Sequence, residues 1–445
     1  MSTTKTQTLA EIARHAVSLA QQQGASEVSA TVGRTRQVEV QWRDGAVEKV
    51  SEATTRGLSL QLFVEGRYSS VSTSDLRPEA LERFLADSIA MTRVLAPDEH
   101  RRLPEPELYA GRAQVDLDLE DRRQEQLTAD ERRRFAQALE EGARATDTQG
   151  RILSVTTSFS DTLSESFRVS SNGFEGARRG THFTAAADVS AQDPDGRRPE
   201  ESDYALARFF EDLTDAATVG RNAGARALGR MGATKGASAV LPMAVDNRAS
   251  GRLVSMLIGA MSGAGIQQKR SFLEGKLGQK VGSDLLVISD EPHVKRGLGS
   301  RLFDGEGLTS RPFALFEEGV LRTYFIDSYY GRKLKARPTT SSPSNLAWKL
   351  GQQDRAGLLR DLKDGILVTG FLGGNSSAVT GDFSLGVQGF RVRGGELAEP
   401  LSEMNISGNQ LDLWKRLVAV GNDPLPYSAQ RTPTLVFEGV QFAGT

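Results

Sequence analysis

The sequence predicts an α+β protein. An N-terminal α/β meander of antiparallel sheets with flanking helices is followed by a mixed, strand-rich C-terminal domain. Three observations predict it. Apolar and polar residues alternate through Val28, Ala30 and Val32, through Val38, Val40 and Trp42, and through Leu58, Leu60, Leu62 and Val64, the period of half-buried strands. Asp44-Gly45 and Glu65-Gly66 stand between or after such runs, where hairpins turn. Helical segments with their own start signals interrupt the strands, as in the capping boxes Thr8…Glu11 and Thr128…Glu131, in which each residue's side chain satisfies the other's backbone N–H.

In chain order, Leu9, Ile12, Ala13, Ala16, Val17 and Ala20 repeat at helical spacing until Gly24. A hairpin and two further strand runs reach residue 73, and a helix from Pro78 buries Leu81, Phe84, Leu85 and Ile89. Pro97, Pro104 and Pro106 mark a linker. A helix over 128–145 precedes strands through 151–211, with turns at Asn172-Gly173 and at 193–196. A helix of small residues over 215–228 leads to Gly229, Gly232 and Gly236, a flexible boundary. The expected domains are 1–105, 106–232 and 233–445. Beyond the boundary, residues 239–245 read as a strand whose Pro242 calls for an edge or a bulge. Asp246 caps a helix carrying Leu253, Leu257 and Met261. A strand at 285–289, a hairpin about Glu318-Gly319, a loop at 336–345, a short helix at 354–362 and a helix at 409–418 complete the reading.

Composition narrows the function. The 445 residues exceed one ordinary domain, and 38% hydrophobic with 25% charged residues is the balance of a globular protein. A net charge of −2 argues against a dedicated nucleic-acid or membrane surface. The chain has no cysteine, so disulfides and thiol chemistry are excluded and a cytoplasmic location is expected. The start, MSTTKTQ, reads as a polar lead-in rather than a signal core, and no run approaches a membrane span.

Catalytic residues are scarce. The four histidines, His15, His100, His182 and His293, have no close pair, whereas a catalytic zinc site takes two one helical turn apart plus a third ligand. Neither a G-x-S-x-G elbow nor a G-x-x-x-x-G-K-[ST] loop is present. The carboxylates Asp304, Glu306 and Asp382 sit among glycines; they are either solvated turn acids or a site assembled in space.

One stretch stands out. Residues 370–390, GFLGGNSSAVTGDFSLGVQGF, carry six glycines after the apolar run 366–369. Two readings are open for Gly373, Gly374, Asn375, Thr380, Gly381, Asp382 and Ser384: a plain hairpin connection, or the floor of a groove where backbone groups meet a substrate or partner chain.

This stretch, with SEMNISGNQLDLWKRLVAVGND (402–423), PTLVFEGVQFAG (433–444), RSFLEGKLGQKV (270–281) and GLGSRLFDGEGLTSRP (297–312), resembles the TldD/TldE (PmbA) family, and more closely its TldE (PmbA) branch. The TldD branch carries an H-E-x-x-x-H helix and a later cysteine as zinc ligands. Anchored on 270–281, those positions fall on Val254, Ser255 and Gly259, and the cysteine region on 423–432. None of the zinc-site residues carries over, so no catalytic or metal-binding residue is expected here. The resemblance implies a metal-free subunit of a heterodimeric peptidase, with zinc in a TldD-like partner. Its substrates would be unfolded or precursor peptides, through leader removal or degradation of a labile antitoxin. The sequence leaves a homodimer open where the partner is missing. Two other readings are a stand-alone hydrolase with a carboxylate site and a non-catalytic regulatory protein acting on a topoisomerase.

Overall fold

Residues 7–445 are described by a computed structural model; the polar lead-in at 1–6 lies outside them. Helix α1 (Leu9–Gln22) starts at the first capping box, where the Glu11 N–H donates to Thr8 Oγ1 (3.2 Å) and the Thr8 N–H donates to Glu11 Oε2 (2.7 Å). The two alternating runs after it form one 17-residue strand, β1 (Glu27–Arg43), because no proline or turn pair separates them and the lone Gly33 stays in the ladder opposite Gly57. Asp44 and Gly45, at φ 46° and 87°, turn it into β2 (Ala46–Val64), and Glu65 and Gly66 turn β2 into β3 (Arg67–Thr73). Positive φ at both central residues matches the twist of the flanking strands. Helix α2 (Pro78–Thr92) and, after the linker, α3 (Ala129–Arg144) precede β4 (Ile152–Ser170), β5 (Glu175–Ala191), β6 (Glu200–Ala207) and α4 (Ala216–Gly229).

These strands form a single antiparallel sheet, in the order β3-β2-β1-β4-β5-β6. Strand β1 pairs with β2 on one side and with β4 on the other, from Ser29↔Ser170 to Arg43↔Thr156, so the sheet crosses residue 105 without a break. Helices α1 and α2 cover one end through Ile12, Val17, Leu81 and Leu85 against Val28, Leu60 and Leu62. Helices α3 and α4 cover the other through Leu139 and Val219 against Phe159 and Phe183.

The C-terminal half begins with β7 (Ala239–Val245), α5 (Asn247–Gly259) and α6 (Gly263–Gln267). A small sheet follows, made of β8 (Ile288–Asp290), β9 (Phe313–Glu317), β10 (Val320–Leu321) and, after α7 (Ser328–Leu334), β11 (Leu346–Trp348). The strand expected at 285–289 starts later, at Ile288, and the second arm of the Glu318-Gly319 hairpin is only two residues long. Next come α8 (Arg355–Leu362), β12 (Asp364–Phe371), β13 (Asn375–Ser376), β14 (Asp382–Arg393), β15 (Glu396–Asn409), α9 (Gln410–Lys415), β16 (Leu417–Val420) and β17 (Leu435–Ala443). Helix α9 is shorter than 409–418, because Leu417 already pairs with Phe437 in the sheet.

The strands β12-β7-β17-β15-β14 form a ring. Strand β12 pairs parallel with β7 and antiparallel with β14, which closes the sheet on itself. Met243, Leu385, Ile406, Trp414, Phe437 and Phe442 are part of the core at this barrel. Pro242 lies in an interior strand of the ring, opposite an irregularity between Phe437 and Val440, the bulge its missing N–H calls for. Within 370–390, Gly389 serves the closure: a Cβ on it would overlap the Leu367 carbonyl across the β12–β14 pair. Phe303 joins the two halves by packing edge-on against Phe174 (5.1 Å between centroids).

Candidate functional site

Strands β7 and β12 run parallel, so their C-terminal ends open on the same side of the barrel. There the Asp246 N–H donates to the Val368 carbonyl (2.9 Å) and the Asp246 carboxylate caps α5, accepting from the Arg248 N–H (3.0 Å). The carboxylate is also paired with Arg355. The loop 421–432 folds back over α5. Asn247 Nδ2 donates to the Asp423 carbonyl (2.7 Å), Thr432 Oγ1 to the Asn247 carbonyl (3.0 Å), and Ser250 Oγ to the Pro433 carbonyl (2.9 Å). Between this loop, α5 and the end of β12 lies a cleft of about 560 Å³, lined by Arg248, Arg252, Ser255, Gly370, Gly373 and Gln430 among others.

Helix α5 is amphipathic, and its register sets what the cleft sees. Val254 points into the core and is fully buried, whereas Ser255 and Gly259 face outward. The Ser255 hydroxyl accepts from Gln430 Nε2 (3.0 Å). Arg248 pairs with buried Asp203 (2.6 Å) and lies over the Tyr204 ring (4.6 Å). Arg252 is exposed and makes no ion pair among the described residues. These groups are of types that can bind and orient a ligand; none is a general base. The residue types do not fit a zinc ion, since an apolar side chain, a hydroxyl committed to an amide and a glycine supply no ligand set. Among the described residues no cluster of three or more His, Cys, Asp or Glu is placed to hold a metal.

The glycine-rich stretch divides. Gly370 and Gly373 line the cleft, and Gly374, at φ 108°, packs against the Ser384 carbonyl and Leu385. Asn375, Thr380, Gly381, Asp382 and Ser384 are not among the cleft's lining residues. Asn375 pairs with Ser384 in the β13–β14 ladder, and Ser384 Oγ donates to Asn405 Oδ1 (3.2 Å). Exposed Asp382 accepts from Thr380 Oγ1 (2.6 Å) and Asn409 Nδ2 (2.9 Å), which hold its carboxyl below the usual range. Gly381 sits against Phe272 and Asn409.

The three carboxylates do not form a site together. Asp304 accepts from the Glu306 and Leu308 N–H groups and from Thr340 Oγ1. Glu306, raised by burial, accepts from the N–H (2.8 Å) and hydroxyl (2.6 Å) of Ser328. Both carboxylates are engaged in holding a turn and the start of α7, and Asp382 makes no hydrogen bond to either. Sequence reasoning missed Arg248, Arg252 and Gln430. The apolar stripe of α5 left Arg252 and Ser255 on its opposite face, a readable signal; Gln430, remote in sequence, gave none.

The comparisons with known proteins fit this architecture. Family models for PmbA/TldA metallopeptidases match in three consecutive pieces: domain 1 at 28–92, the central domain at 122–231 and the C-terminal domain at 238–444. The chain belongs to the PmbA/TldD family. Metalloprotease PmbA of Escherichia coli O157:H7 is 30% identical over 399 residues, covering 88% of this chain and 86% of the relative. Its homolog in Haemophilus influenzae is 28% identical over 98% of this chain and 96% of its own length. A Bacteroides thetaiotaomicron protein, assigned provisionally as a modulator of DNA gyrase, superposes with a TM-score of 0.94 at 39% identity, over 98% of both chains. TldE of Thermococcus kodakarensis shares the fold, with a TM-score of 0.86 at 19% identity over 97% of this chain and 100% of its own. The family is thus one of metalloproteases, while the α5 cleft of this member offers no zinc ligands.

Proposed function

We propose that this chain is the metal-free, TldE-like subunit of a heterodimeric metallopeptidase. Zinc belongs to a TldD-like partner, and this chain contributes to binding an unfolded or precursor peptide. The observation that carries the reading is the face α5 presents: Ser255 hydrogen-bonded to Gln430, and Gly259, where the zinc-binding branch has its glutamate and second histidine. A cleft with neither metal ligands nor a base cannot activate water. What remains suits an extended peptide: accessible backbone at Gly370 and Gly373, the amide of Gln430 and the guanidinium of Arg252. Main-chain pairing gives affinity with little side-chain selectivity, and two-residue β13 leaves Asn375 and Ser376 exposed on an open edge.

The test is peptidase activity on an unfolded polypeptide with this chain alone, a TldD-like subunit alone, and both together. Activity should require the mixture and be lost to a chelator. Chelator-resistant cleavage by this chain alone would establish a stand-alone hydrolase instead. Cytoplasmic location belongs to the same proposal; no described helix is long and apolar enough to cross a membrane.

A further inference from the structure

A second cavity, of about 700 Å³, lies where the two halves meet, between β4 and β5 of the large sheet and the loops 115–120 and 298–303. Its chemistry differs from that of the α5 cleft. On β5, Arg178, Gly180 and His182 alternate onto one face, the face lining the cavity. Gly180 allows Arg208 to lie across the strand; a Cβ there would stand 2.8 Å from Arg208 Nη1. Arg301 enters from the opposite wall.

None of these three arginines has a carboxylate within ion-pairing distance among the described residues. Their donors reach neutral oxygens instead. Arg178 donates to the Phe303 carbonyl, Arg208 to the carbonyl of Leu298 (2.8 Å), and Arg301 to Thr340 Oγ1 (3.1 Å) and the Ser342 carbonyl (2.5 Å). Arg301 Nε is buried with no partner. Asp290 and Asp304 lend Arg301 only a distant field, and both are engaged by Ser344 and Thr340. The acidic residues of the cavity wall do not supply the missing charge. Asp118 is held by Arg296 and Lys295, and Glu120 and Glu165 by Arg179. Asp116 is exposed and accepts from the Asp118 N–H.

Arg208 is buried, Arg301 half-buried and Arg178 exposed, and a guanidinium drawn out of water without a counter-ion is disfavoured in its charged form. Desolvation brings Arg178 and Arg208 down to about 10, Arg178 also feeling the charge of Arg301. Burial first, and then Arg208, push His182 down to about 4, so its imidazole is neutral near pH 7. It makes no hydrogen bond among the described residues. Arg178 is itself an exposed residue, so an anion in the cavity can reach it.

We propose that this cavity binds a small organic anion. Its carboxylate or phosphate head group would sit among Arg178, Arg208 and Arg301 with a hydrogen bond to His182, and its apolar body against Leu119, Leu298 and Phe303. The volume is that of an ordinary small-molecule site, and planar guanidinium forks suit both head groups. The proposal is independent of the peptidase reading, since no residue is shared with the α5 cleft.

Calorimetric titration of the purified chain with glutarate and with inorganic phosphate, in low-salt buffer at pH 7, tests it. One saturable site is expected, and whichever probe binds more tightly identifies the head group. Arg178→Gln and His182→Gln should each weaken binding about tenfold or more, the loss of one charge-assisted or neutral bond to the anion. Arg178→Lys keeps the charge but not the fork and should fall between Arg178→Gln and the native chain. Arg83→Gln, on the exposed face of α2, should bind as the native chain does. Absence of saturation by either probe up to about 10 mM, or native affinity in all the Arg178 and His182 variants, would overturn the proposal.

Discussion

Among single residues, Asp161 carries the heaviest electrostatic duty. Fully buried on β4, it accepts from Arg132 Nε and Nη2 and from Gln124 Nε2 (2.7 Å). Removing one member of a buried pair strands the other charge, which costs about 3–5 kcal/mol. Asp161→Ala should therefore lower the free energy of urea unfolding by that amount, and Asp161→Asn by less, because it still accepts from Gln124. His182 makes a second, pH-dependent prediction. Its pKa of about 4 in the folded chain lies below its ordinary value of 6.5, so the unfolded state binds more protons between those values. Its contribution to stability is complete above pH 6.5 and is lost as pH falls through about 4. His182→Gln should flatten the fall in melting temperature between pH 6.5 and 4, corresponding to a change on the order of 3 kcal/mol. Glu306 and Asp290, raised by burial, push the other way, so the difference between variant and native curves is the informative quantity.

At the scale of elements, barrel closure is the vulnerable step. Any side chain on Gly389 must separate β12 from β14, and Gly389→Ala should destabilise the chain by about 3 kcal/mol, within the range of overpacked core sites, as seen in its urea midpoint. Gly374→Val should also act on the chain's own stability, since its Cβ would strike the Ser384 backbone. Gly373→Ala meets open space and carries only the strain of φ 68°, so its effect should appear in the activity of the mixed complex. The strands and caps were legible because they are local: the alternation through Val28 to Val32, the Asp44-Gly45 turn, and the Thr8 and Thr128 boxes depend on neighbours in sequence. The ring was not, because a parallel β7–β12 pair and the β12–β14 contact leave no mark on hydrophobic period. For the same reason the sequence left the glycines of 370–390 open between a plain hairpin connection and a groove floor. They are divided between a cleft wall, a strand crossing and a self-satisfied turn. The zinc-branch positions on α5 were legible through the family resemblance, and the outward face carrying Arg252 and Ser255 through the helix's apolar stripe; Gln430 became visible only when the loop folded back over Ser255.

At the scale of the whole molecule, the two halves share a buried seam. Phe303 fills the space beside Phe174 and Gly176, and Arg168 donates to the Gly305 carbonyl across it. Arg296 gathers Asp118, Glu211 and Asp212 and lies over Phe209 (3.6 Å). Such a seam couples the halves, so calorimetric unfolding should show one transition. Phe303→Ala should remove about 3–5 kcal/mol and split the transition in two, while leaving the helical signal of each half intact below the first.

The closed ring also sets an order of events during synthesis. Val245 takes Leu435 as its neighbour, about 190 residues later, a separation that makes pairing slow. While the ribosome is still delivering that interval, β7 has an unpaired side, and β15 waits for the same strand, through Asn405 and Ile406. Open edges of this kind are where nascent chains associate wrongly. A chain stopped before residue 435 should be recovered as aggregate even though its large N-terminal sheet is complete, and a nascent-chain chaperone should remain bound until the final strand emerges.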